Sequence, residues 1–168
     1  MTGRMTRLWR HFVTDRGEVN RHFSAEDLDR VKRAIAAGET RHAGQVCFAV
    51  EAALPLASVW RRERPRARAL EVFSLLRIWD TEENCGVLVY LLLADRDVEI
   101  IADRGIHERV GARTWGAVCR KMETAFRDGR FVEGVEAGLA EINALLAEHY
   151  PRGGAAGANE LPDRPVVL

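Results

Sequence analysis

The chain has 168 residues, 47% of them hydrophobic, enough for one domain whose core closes without help from metals or disulfides. Lysine and arginine number 25 and aspartate and glutamate 25, so the formal net charge is zero and no global field draws in nucleic acid. Cys47, Cys85 and Cys119 lie 38 and 34 residues apart with no CxxC, which argues against a disulfide framework and a zinc cage and reads as small buried apolar residues.

The first segment, MTGRMTRLWRHFV, mixes arginines with Leu8, Trp9, Phe12 and Val13. It reads as a basic N-terminal segment, residues 1–23, that packs on the domain or frays; a basic amphipathic turn at a membrane surface is the other reading. Charges at Arg4, Arg7, Arg10, Asp15, Arg16, Glu18 and Arg21 interrupt it before an apolar run can form, so no secretory leader is legible and a cytoplasmic chain is expected, with peripheral membrane contact left open. Ser24 offers an N-cap with Asp27 three positions on, and Leu28, Val31 and Ile35 repeat at helical spacing up to Gly38. QVCFAVEAAL then lacks strict alternation and suits a strand covered on both faces.

Pro55 closes that strand region, and the arginines at 61, 62, 64, 66 and 68 read as a solvated basic loop beside Trp60. In RARALEVFSLLRIW, Leu70, Val72, Phe73, Leu75, Leu76 and Trp79 predict a second helix. Residues 86–94 and 97–102 predict two strands joined by Asp95 and Arg96, a link that allows only an antiparallel pair. The uncharged run from Gly86 to Leu93 is far shorter than the ~20 residues a spanning helix needs, so no transmembrane segment is expected. Trp115, Val118, Met122 and Phe126 mark a third helix, Gly129 breaks it, and Val135, Leu139, Ile142 and Leu146 mark a fourth. Residues 151–168 read as a flexible Gly/Ala/Pro-rich tail, leaving 24–150 as the domain.

This order predicts an α/β fold: a three-layer α/β/α sandwich whose small mixed sheet has two parallel strands plus an antiparallel hairpin strand, covered by helices on both faces. With Asp95 and Arg96 as the turn, Ala94 faces Asp97 and Asp103 falls beside Leu88, so the acids before and after the hairpin converge. The entry to the first strand approaches the same edge and adds Glu39 and His42 to a rim of Asp80, Glu82, Glu83, Asn84, Asp103 and His107. Carboxylates and an amide on a loop are what calcium or magnesium takes, and a bound cation recruits phosphate; a solvated acidic rim is the competing reading. Glycine-rich phosphate loop, GxSxG elbow and HExxH are all missing, and the five histidines are scattered.

The strand entry HAGQVCFAVEAAL, the stretch LRIWDTEENCGVLVYLLLADRDVEIIADRGIHERVG and METAFRDGRFVEGVEAGLAEI together resemble the TPM domain, over residues 24–149. That domain occurs in bacterial proteins and in a thylakoid-lumen protein linked to photosystem II repair. The pieces that carry the likeness are Asn84 and Gly86 at the strand entry, Gly105 after the hairpin, and FRDGRFVEGV between the last two helices. The resemblance implies the same α/β/α sandwich, an acid phosphatase activity claimed for plant members, and calcium binding suggested for some bacterial ones. By position it makes Asp80, Glu83, Asn84 and Asp103 the candidates for cation contact, although many relatives have glycine where Asp103 stands. Two functions follow as expectations. One is a binding or scaffolding module with an unidentified protein partner and a divalent-cation site, Ca2+ or Mg2+, at the acidic rim. The other is a divalent-cation-dependent acid phosphatase of phosphomonoesters, in which Asp80, Asn84 and Asp103 hold the metal and Glu83 or His107 handles a proton.

Overall fold

The structure, a computed structural model, describes residues 2–153 and 161–168. Three helices come first: α1 (Thr2–Val13), α2 (Arg16–His22) and α3 (Ala25–Glu39). Strand β1 (Gln45–Glu51) follows, then α4 (Leu56–Trp60), α5 (Pro65–Leu75), β2 (Gly86–Leu92) and β3 (Asp97–Ala102). The chain continues through α6 (Arg104–Val110), α7 (Ala112–Arg127) and α8 (Phe131–His149) to β4 (Val166–Val167). The expected α/β sandwich is present, with a mixed sheet in the order β3-β2-β1-β4: β1 runs parallel to β2 and β4, and β3 runs antiparallel to β2.

The predicted helix after Ser24 is α3, closed by a capping box: Asp27 N–H donates to Ser24 Oγ at 3.2 Å and Ser24 N–H to the Asp27 carboxylate at 3.0 Å. β1 and β2 are buried along their whole length, as their unbroken apolar runs require. Their side chains alternate between two cores. Val46, Phe48, Val50, Val87, Val89 and Leu91 meet α2, α3, α6, α7 and α8; Cys47, Ala49, Leu88, Tyr90 and Leu92 meet α4 and α5. Burying each such Val, Leu, Ile or Phe side chain contributes roughly 1.5–3 kcal/mol, so this two-sided sheet is the main source of stability.

The structure corrects three expectations and gives the packed N-terminal segment its form. The hairpin register differs by two residues: Leu92, not Ala94, pairs with Asp97, and Asp103 N–H donates to Gly86 O at 2.8 Å. The cause is that Leu93 and Ala94 N–H groups stay bonded to Glu51 O and Ala52 O, so β2 leaves β3 early and the turn takes four residues. Arg66 and Arg68 are not loop residues; they lie in α5, pairing with Glu99 and with Glu51 and Glu71. The basic N-terminal segment forms two helices, α1 and α2. The end of the expected tail adds β4, with Leu168 N–H donating to Val50 O at 2.9 Å and Leu161 N–H to Gln45 Oε1 at 3.0 Å. Residues 154–160 of that tail lie outside the described residues. Among the described residues no helix is long and apolar enough to cross a membrane.

Candidate functional site

The predicted rim forms where β1 and β2 begin, Gln45 pairing with Gly86. Thr81 shapes the approach to β2: its hydroxyl accepts from Cys85 N–H at 3.1 Å and its carbonyl from Asn84 N–H at 3.3 Å. Asn84 is left in a positive-φ conformation, φ 52°, which asparagine tolerates better than most residues. Its carbonyl accepts from Ile106 N–H at 3.3 Å, tying the loop to the start of α6. Gly105 permits that approach, since a Cβ there would stand 2.6 Å from both Asn84 O and Tyr150 Oη.

Asp103 is the N-cap of α6. Its Oδ1 accepts from Arg104 N–H at 2.7 Å, while Oδ2 is buried without a hydrogen-bond partner among the described residues. Asn84 and Asp103 line one groove of about 500 Å³ together with Trp79, Arg104, Gly105 and Glu108. The fold-back thus brings two of the four candidates together. Asp80 and Glu83 are exposed and do not line the groove, and Asp80 is held by Arg77, whose Nη2 lies 2.5 Å from its carboxylate. Glu83 stands close enough to act on Tyr150: burial raises that phenol's pKa, Arg109 opposes, and the charges of Glu83 and Asp103 add to the rise.

Glu39 and His42 reach the same end of the sheet but turn inward. Glu39 accepts from Val46 N–H at 2.9 Å, and burial, with Asp163 adding to it, pushes its carboxyl up to about 7. His42 is fully buried between Gly44 O and the Asn143 side chain, both at 3.1 Å, and burial lowers its pKa. His107 lines a different groove, against β3 and α7. Among the described residues no three His, Cys, Asp or Glu side chains converge to hold a metal.

Two polar clusters escaped the sequence reading. At the far end of β1, Glu51 accepts from Arg68 Nε and Nη2 at 2.9 and 3.1 Å and from Tyr90 Oη–H at 2.6 Å. Burial, then the Glu51 hydrogen bond, drives the Tyr90 pKa far up, so the phenol stays protonated as a donor and is no base. In the β2–β3 turn, Asp95 takes Arg7 Nε at 2.9 Å, Arg10 Nη2 at 3.1 Å and His11 Nε2 at 3.2 Å. Burial works to raise the Asp95 pKa, but His11 and Arg7 outweigh it and hold it at about 2. Both clusters join residues far apart in the chain, and no local motif announces either.

The family model of the TPM domain matches residues 19–145. Two solved structures are similar. The NMR structure of BA42 protein from the psychrophilic bacterium Bizionia argentinensis is 24% identical, with a TM-score of 0.76 over 87% of this chain and 95% of that one. The NMR structure of the N-terminal domain of a P. gingivalis protein is 16% identical, with a TM-score of 0.62 over 79% and 83%. No curated protein matches the chain.

Proposed function

Because the chain belongs to the TPM domain family, whose model spans most of its length, we propose that it is a binding module that holds a hydrated divalent cation at the Asn84–Asp103 groove. The observation that supports this is Asp103 Oδ2, a buried carboxylate oxygen without a hydrogen-bond partner among the described residues. Leaving such an atom unmet costs roughly 1–3 kcal/mol or more, and a cation or its bound water relieves that cost. Calcium takes six to eight oxygens, and magnesium keeps several waters while using one or two carboxylates. One carboxylate and one amide do not make a closed calcium site, but they fit a cation that retains most of its water. The calcium or magnesium expectation therefore narrows to Asn84 and Asp103, with Asp80 engaged by Arg77 and Glu83 outside the groove.

The phosphatase alternative requires a nucleophile or base beside the cation. Arg104 lines the groove and supplies a contact for an anion, which favours phosphate recruitment. Glu83 and His107, the expected proton carriers, do not line it; among the described residues Glu108 is the one further carboxylate that does, and no serine, threonine or cysteine lines it to act as nucleophile. A binding role is the better match.

The test is thermal unfolding with calcium or magnesium raised to the millimolar range. A ligand that binds only the native state raises the melting temperature with concentration. The expected result is a shift that Asp103→Ala abolishes, Asn84→Ala weakens and Asp80→Ala leaves intact. A flat response up to millimolar cation overturns the proposal. A phosphomonoester hydrolysis that cation stimulates and Asp103→Ala removes would instead establish the phosphatase.

A further inference from the structure

We propose that the outward face of α1 docks on an anionic lipid bilayer. Its inner face fixes the helix in one orientation. Arg7 and Arg10 reach Asp95, His11 accepts from Leu54 N–H at 3.0 Å while facing Asp95, and Leu8 packs into the core under α4 and α5. Met5, Trp9, Phe12 and Val13 are left on the opposite side, 66%, 63%, 67% and 48% exposed. At about 100° per residue these four fall in one stripe of the helix. A surface helix ordinarily turns its apolar stripe inward and its charges to water. In α1 the arrangement is reversed: the guanidinium groups hold the helix to the body and the apolar side chains face out.

The surface continues beyond α1. A groove of about 600 Å³ between α1 and α4 is lined by Arg4, Met5, Arg7, Trp60 and Arg62, and the Arg4 guanidinium lies 3.7 Å from the Trp60 ring centre. Charge identifies the occupant. Arg4, Arg7, Arg10, Arg61, Arg62 and Arg64 are set against Glu63 and Asp95, with Asp15 and Glu18 past the end of α1; Asp95 is already met by Arg7 and Arg10, and Glu18 by Arg21. Arg61, Arg62 and Arg64 form no ion pair among the described residues. A chain of zero net charge thus concentrates positive charge beside exposed Trp9, Phe12 and Trp60.

Tryptophan and phenylalanine settle at the headgroup boundary, and arginine is drawn to anionic headgroups. Nucleic acid would satisfy the arginines and leave Met5, Phe12 and Val13 against water. A second copy, docked symmetrically, would bring like charges together. The inference does not rest on the Asn84–Asp103 groove.

The experiment is co-sedimentation of the full chain with vesicles of phosphatidylglycerol and phosphatidylcholine, against phosphatidylcholine alone. The expected result is pelleting with the anionic vesicles only, reduced by about tenfold or more in Trp9→Ser/Phe12→Ser and in Arg61→Glu/Arg62→Glu, and by raised salt. Every substituted side chain is exposed, so melting curves should match the parent, and Leu75→Ser, at an exposed leucine on α5, should pellet like the parent. Asp103→Ala should pellet normally, which separates this inference from the cation reading. Absence of pelleting, or pelleting indifferent to Trp9 and Phe12, overturns it. So does a dimer in velocity sedimentation that Trp9→Ser/Phe12→Ser dissolves while lipid is not bound.

Discussion

Arg7 reaches 88 positions along the chain to Asp95, placing Nε 2.9 Å and Nη2 2.8 Å from the same carboxylate oxygen and fastening the first helix to the turn between β2 and β3. The Nη2 contact is off line for a hydrogen bond, so Nε carries the bond and Nη2 adds attraction. Asp95 is held at about 2, below its ordinary 3.8. A depressed folded pKa means that the stabilisation is complete above the unfolded value and is lost as pH falls from about 4 through about 2. The shift corresponds to on the order of 2 kcal/mol. Asp95→Asn should remove that acid-sensitive component and loosen α1. Urea unfolding across this pH range and limited proteolysis near Val13 would show it; an unchanged acid profile with an uncut α1 would contradict it.

Glu39 behaves in the opposite sense. Its carboxyl is pushed from an ordinary 4.5 up to about 7, first by burial, with the Val46 N–H bond opposing and Asp163 adding to the rise. A raised acid pKa favours the protonated form in the fold, so stability is greatest below about 4.5 and falls as pH rises through about 7. The full cost of ionising it is on the order of 3 kcal/mol. Asp163 lies in the segment that carries β4, so the loss should appear first as release of that segment. Glu39→Gln keeps the acceptor for Val46 N–H and should flatten the stability profile between pH 4.5 and about 7, the span between the ordinary and the shifted value. Hydrogen exchange at Leu168, whose N–H bonds Val50 O, reports the release directly.

How much was legible follows from how local each signal was. The capping box at Ser24, the helix stripe Val31 and Ile35, and the break at Gly129, where φ is 78°, each lie within a turn or two of sequence, and all were readable. The hairpin was readable as a hairpin, yet its register was not, because the two extra turn residues are held by β1 rather than by β3. A slip of two keeps every side chain on its own face, so the core reading survived the error. The same slip still left Asn84 and Asp103 on one groove. Asp80 could not be judged from sequence, since its fate depends on Arg77 taking φ 53° and folding back on it. The orientation of α1 depends on a partner 88 residues away, and no periodicity carries that information.

Two glycines that mark the family likeness have a direct steric reason. A Cβ on Gly86 would stand 2.0 Å from Ile78 O, and one on Gly105 would meet Asn84 O at 2.6 Å. Both obstacles are backbone, which cannot rotate away. Gly86→Ala should therefore cost about 3 kcal/mol or more, at the upper end of overpacking penalties, and Gly105→Ala somewhat less. Chemical denaturation of both variants, beside Gly3→Ala, where a Cβ meets nothing, checks the ranking.

Glu51, Arg68 and Tyr90 form a buried charged group, and its energetics depend on which member is removed. Tyr90→Phe deletes one donor and leaves the carboxylate with both Arg68 bonds, so the expected cost is about 1–2 kcal/mol. Arg68→Met strands a carboxylate that is only 9% exposed, and breaking a buried pair in this way costs roughly 3–5 kcal/mol. Glu51→Leu together with Arg68→Met removes both charges and should be less damaging than Arg68→Met alone. A double-mutant cycle in urea measures the difference as a coupling energy. If the double variant is as unstable as the two single losses added, the charges are not paired in the folded state and the network has no coupling to lose.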